Sequence, residues 1–336
     1  MNEAGAQRPV RATLAARTDG RDAEEATRIL RGELGAPHPV PLPQLPELSP
    51  GTEALGRTIT HLAGLNVGLT PQGFRLTAAR VGDSAEVRRL SAAHSSLVSL
   101  TADVLAGEPA GPTVIAVAGP ATLAAALALP SGEPVLSDLG ALRDVMQAWA
   151  QGLAELAAAT ASSLPGAQPV LDVREPRLDD VLAGRVRSSS GFRLLRAPER
   201  ADVAAAWEAL AEATPTWLPV HPLLTPSAAA TALRLPAPGE HPGEWERIAA
   251  FVEAGRDVVL QVPPAAVGTR VSARAATLAT PWRRIGLPAA SLSALTVSDT
   301  PGALLAPEPL RAAAIASRDL ADALDVVRHD DLEALL

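Results

Sequence analysis

Short runs of β-branched and aliphatic residues alternate along the chain with longer Ala- and Leu-rich stretches whose apolar positions recur at helical spacing. The clearest strand-like runs are residues 113–118 (TVIAVA), 169–173 (PVLDV), 217–220 (WLPV), 257–262 (DVVLQV) and 294–298 (ALTVS), with weaker ones at 11–16 and 74–78. Helices are expected over 22–34, 84–106, 138–162, 200–213, 244–254, 271–285 and 307–327. Asp22 stands three residues before Glu25, and Ser84 and Asp138 open long amphipathic runs, so helices should start there. Proline-rich stretches at 37–50 and 236–243 punctuate the gaps.

About eight strands alternating with helices predict a mostly parallel α/β architecture, a single (β/α)8 TIM barrel. The barrel is expected over 11–328, between a flexible N-terminus at 1–10 and a C-terminal tail at 329–336. The competitor is an open, doubly wound sheet, but no G-x-G-x-x-G follows a strand. No repeat period or long linker divides the chain.

Composition narrows the function classes. Of 336 residues, 47% are apolar and 20% charged, a globular balance, while aromatics at 2% argue against a large ring-lined pocket. The net charge of −8 offers phosphates no basic field, so no nucleic-acid partner is expected. No run reaches the roughly 18 apolar residues needed to span a bilayer, and the polar start lacks a signal-peptide apolar core. No membrane partner is expected, and the cytoplasm is the expected compartment. There is no Cys, no Lys and no Tyr, which removes thiolate, Schiff-base, P-loop lysine and tyrosine chemistry. Arg in place of Lys, with abundant Ala, fits a GC-rich bacterial genome. H-E-x-x-H, C-x-x-C and G-x-S-x-G are absent.

Four stretches carry a resemblance. They are Ala12-Thr13 with 22–26 and Gly32-Glu33-Leu34; Pro37-His38 with Leu42-Pro43; residues 119–142 (GPATLAAALALPSGEPVLSDLGAL); and Glu175-Pro176 running through 181–184 to Ser190-Gly191-Phe192. In order and spacing this resembles an actinobacterial group similar to the C-terminal catalytic barrel of cobalamin-independent methionine synthase, a 5-methyltetrahydropteroyltriglutamate–homocysteine S-methyltransferase. Uroporphyrinogen decarboxylase-like barrels are more distant relatives. The resemblance implies a barrel mouth that binds homocysteine and methyltetrahydrofolate, with zinc held by a His-x-Cys pair, a Glu and a Cys.

Residue by residue, little of that site carries over. The His-x-Cys position reads His221-Pro222-Leu223, so His221 is the one ligand position retained. The acidic ligand falls near Leu235-Pro236, and the last falls in 298–302, with Pro301 where Cys is expected and Asp299 close by. The strand-end Asp-Glu-Pro reads Arg174-Glu175-Pro176, and a Gly-Ser pair near the start reads Ala16-Arg17. An arginine at each place repels the ammonium group that the family holds. The expectation is a pseudoenzyme-like barrel with no metal, whose zinc and folate are not used.

The remaining candidates have a bland reading beside the functional one. Arg17 and Arg174 could converge on a carboxylate or phosphate ligand, with Glu175 or Asp299 as acid or base; local pairing with Asp172, Asp179 or Asp180 competes. His221 is a ligand-binding residue or general base, or else a relic bonded to a neighbouring backbone group. Thr122, in the Gly-Pro-Ala-Thr turn, could help an N-terminal helix site take an anion, or merely cap the helix. Residues 185–193 (RVRSSSGFR) form either a lid or a solvated loop. The ligand expected is an anionic small molecule, or the function lies with a protein partner. The alternative is an active methyltransferase or a cofactor-free lyase or decarboxylase acting on a carboxylated substrate.

Overall fold

The computed structural model describes residues 8–77, 85–239, 241–264, 268–300, 302 and 304–333. Eight parallel strands form one sheet: β1 (Arg11–Thr13), β2 (Val40–Pro41), β5 (Gly111–Ala118), β6 (Ala167–Arg174), β7 (Thr216–Pro219), β8 (Ala232–Pro236), β9 (Asp257–Val262) and β10 (Leu295–Asp299). Their order, β1-β10-β9-β8-β7-β6-β5-β2, leaves a single seam between β1 and β2. Gln44 stitches that seam just above the strands. Thr18 N–H donates to its carbonyl at 3.0 Å, its own N–H reaches Ala16 O at 2.8 Å, and its side chain donates to Ala15 O at 2.9 Å. The result is a nearly closed α/β barrel, as the alternation of elements predicts.

Helices α1 (Ala23–Glu33), α3 (Ala85–Leu105), α5 (Leu139–Ser163), α7 (Arg200–Ala213), α8 (Pro242–Glu253), α9 (Val271–Arg284) and α10 (Pro307–Glu333) surround it, with shorter α2 (Ala54–Thr60), α4 (Pro120–Ala126) and α6 (Leu178–Leu182). The expected caps form: the Asp22 carboxylate accepts from Glu25 N–H, and that of Asp138 from Gly140 and Ala141 N–H. Ser84 lies outside the described residues. The last helix runs on to Glu333, six residues past the expected end.

Three local expectations change. Of the run at 74–78, residues 74–76 belong to an antiparallel hairpin, β3 (Val67–Thr70) with β4 (Gly73–Leu76), and not to the barrel, while Ala78 lies outside the described residues. In its place the barrel uses β2, inside the proline-rich stretch 37–50, and β8, which ends at Pro236 where the second such stretch begins. β2 has only two residues, and its Pro41 needs no amide donor because the barrel's seam lies beside it.

Strand alternation sorts the side chains. Leu171, Val173, Leu233, Leu235, Val258, Leu260, Leu295 and Val297 join the large core between sheet and helices. The opposite faces enclose a second, small cluster of Val114, Val170, Trp217, Ala232 and Val259. Trp217, 4% exposed, is therefore the one ring that fills the barrel's centre. Outside, Gly152 lets α5 approach the end of α2, because a Cβ there would lie 1.7 Å from His61 O.

Candidate functional site

Above the Trp217 plug, alternation brings three charged side chains inward. Asp172 and Arg174 follow Val170 on β6, and Arg234 follows Ala232 on β8. Asp172 has no solvent exposure and accepts an ion pair from each arginine: Arg174 on Oδ2, and Arg234 Nε on Oδ1 at 2.7 Å. The Arg234 guanidinium, 4% exposed, stacks 5.7 Å above the Trp217 ring. Its Nη1 and Nη2 have no hydrogen-bond partner among the described residues, nor has the buried Thr13 hydroxyl. Burial first, and the neighbouring Arg174 second, pull the Arg234 pKa down to about 10. Two guanidiniums thus share the one carboxylate of Asp172.

Asp299, at the end of β10, accepts from Ala15 N–H at 2.6 Å. Burial raises its carboxyl above the usual range, against that hydrogen bond and the attraction of Arg174 and Arg234. It stands at the same mouth as an acid of raised pKa.

Glu175 goes elsewhere, toward the start of α4. Its Oε1 accepts from Ala121 N–H at 3.0 Å, and its Oε2 from Thr122 N–H at 2.8 Å and the Thr122 hydroxyl at 2.7 Å. Gly119 makes room, since a Cβ there would lie 2.2 Å from Oε1. Burial pushes Glu175 up to about 7 although those donors pull the other way. The anion position expected at Gly119–Thr122 is therefore filled by the chain's own carboxylate, and Thr122 serves Glu175.

His221 is engaged at both ring nitrogens. Nδ1 accepts from Leu223 N–H at 3.1 Å, which leaves the proton on Nε2 to donate to Asp179 Oδ1 at 2.9 Å. Arg17 lies on the rim, its Nη2 paired with Glu53 at 2.9 Å and its Nη1 donating to Gly302 O at 3.2 Å. Arg17 and Arg174 do not share a partner. Arg174 does pair locally with Asp172, but in the barrel's interior rather than on its surface. The arginine that joins it is Arg234, which sequence reasoning missed. The alternation ALRLP over 232–236 carried the signal, because it turns Arg234 to the face opposite Leu233 and Leu235.

A likeness among solved structures gives this architecture a reference. A B12-independent methionine synthase from Shewanella sp. W3-18-1, in complex with selenomethionine, superposes with a TM-score of 0.55 at 12% identity, over 97% of this chain and 99% of that one. The barrel has the fold of a methionine synthase. At that identity the likeness concerns fold alone. A GH5 cellulase from a Bacteroidetes-affiliated source also matches, with a TM-score of 0.49 at 8% identity over 98% of this chain and 97% of that one. No protein-family model matches the chain, and no curated protein matches it in sequence. Ala16, beside the seam, has a φ of 51°, the left-handed region that glycine favours.

Zinc does not fit the residues present. Among the described residues no three His, Asp or Glu side chains group as a metal would require. The lone pair of His221 Nδ1 is spent on Leu223 N–H. Pro301 lies outside the described residues.

Proposed function

We propose that this methionine synthase-like barrel binds a small anionic metabolite at its mouth and does not carry out zinc–thiolate methyl transfer. The observation that carries the reading is the Arg174–Asp172–Arg234 cluster, in which two nitrogens of a buried guanidinium have no hydrogen-bond partner among the described residues. A planar carboxylate or a phosphate would satisfy them. The family's amino-acid substrate suits the site poorly, because Arg174 repels an ammonium group.

The test is a thermal-shift screen against acetate, succinate, citrate, inorganic phosphate, and homocysteine with zinc. An anion at about a hundred times its dissociation constant adds roughly 2.7 kcal/mol, a shift of several degrees. Stabilisation by a carboxylate or phosphate supports the reading; a shift that needs zinc and homocysteine together overturns it. A second reading, acid–base catalysis on the bound anion, is favoured by Asp299 alone, whose raised pKa suits proton transfer beside two guanidiniums. Turnover of a stabilising acid that disappears in Asp299→Asn would support it.

A further inference from the structure

The segment after α6 folds back on itself as a finger. Leu195 N–H donates to Val186 O and Ser188 N–H to Arg193 O, both at 2.8 Å, and Arg187 pairs with Leu194 as an isolated bridge. Ser189 pins the finger to the loop before α5, its N–H and hydroxyl donating to Glu133 at 3.0 and 2.7 Å. The tip is apolar and uncovered: Phe192 is 92% exposed and Leu194 61%. Of the chain's three Phe, one is thus placed almost wholly in water beside a second exposed apolar residue.

The same molecule carries an empty apolar groove of about 820 Å³ between α5 and α7. Met146, Ala150, Ala206 and Ala209 line it, with Glu155 and Asp202 among its polar groups. The groove starts beside the finger, because Arg196 and Ala197, the residues that follow Leu195, also line it. The two bonds to Glu133 anchor the turn at Ser189 and leave Phe192, three residues on, exposed. The groove's charged residues are Arg143, Arg196, Glu155, Glu199 and Asp202; Arg196 pairs with Glu199, so Glu155 and Asp202 outnumber Arg143, a balance that the finger's Arg187 and Arg193 complement.

We infer that a second copy of this chain fills the groove: each finger inserts Phe192 between α5 and α7 of its twofold partner. A finger and a groove that adjoin on one surface are what a twofold axis beside them would exchange. The contact is self-complementary, apolar at the centre and charged at the edge, the usual anatomy of a stable interface.

Sedimentation velocity from low to high micromolar concentration tests this with the wild type, Phe192→Asp and Ala209→Arg. Both substituted side chains are exposed, so folding is spared. The expected result is a wild-type species of twice the chain mass and a dimer weakened at least about tenfold by either change. A chain without cysteine allows a second measurement. Phe192→Cys and Ala209→Cys chains, mixed and oxidised, should form a mixed disulfide in excess of either homotypic one. A wild type that stays at one chain mass throughout overturns the inference. So does a dimer indifferent to both changes, or homotypic crosslinks that match the mixed one.

Discussion

Replacing Glu175 by Gln removes a carboxyl whose burial works against its own hydrogen bonds. In the fold its pKa is pushed up to about 7, against an ordinary value of 4.5. Between those values the folded chain holds a proton that the unfolded chain has released, so the contribution of Glu175 to stability falls as pH rises. Integrated from about pH 5 to about pH 8, the loss is roughly 2.5 kcal/mol, levelling off above the folded pKa. Gln cannot titrate. It also turns an amide group toward the N–H donors of α4, a cost that does not vary with pH. The advantage of wild type over Glu175→Gln should therefore shrink by roughly 2.5 kcal/mol across that range. Urea unfolding at several pH values, followed by circular dichroism, measures it. Burial depresses His38, His61 and His94, which removes stability as pH falls below 6.5, but this affects both proteins equally and cancels in the difference. A constant difference would refute the reasoning. A difference that grows with pH would mean that Ala121 and Thr122 outweigh burial and hold Glu175 as an anion.

Asp172→Asn strips the carboxylate from between two guanidiniums and should cost about 3–5 kcal/mol in urea unfolding; a loss below about 1 kcal/mol would show that the pair is solvated. Ala16→Gly should raise stability by up to about 1 kcal/mol, since glycine adopts the φ of 51° without penalty, and a loss of stability would argue against that backbone. His221→Ala should leave zinc affinity unchanged, read by competition with a chromogenic chelator, because both ring nitrogens are already engaged. A clear drop in affinity would restore His221 as a ligand.

Much of the barrel was legible because period-2 and period-3.6 patterns are local. β9 falls on residues 257–262 as expected, and α7 on 200–213. β2 was not, because two residues among prolines carry no periodicity, and β8 was not, because five residues give an alternation too short to stand out unless its neighbours are known. The site was half legible. Charge at 172–175 marked the right strand end, yet Arg174 and Glu175 face opposite ways, the first into the barrel and the second onto α4. Adjacent strand residues must part like this, so the two could not serve one pocket. Alignment alone points Arg17 to the mouth, whereas Glu53, far off in sequence, draws it to the rim.

The most direct measurement is isothermal titration of the best-stabilising anion of the thermal screen into wild type, Arg234→Gln and Arg17→Gln. Saturable one-to-one binding, weakened at least about tenfold in Arg234→Gln and nearly unchanged in Arg17→Gln, is the predicted result. Because Arg234→Gln leaves Asp172 paired with Arg174, it is expected to fold, and circular dichroism on the same sample checks that. Equal affinity in wild type and folded Arg234→Gln, or loss only in Arg17→Gln, would contradict the account.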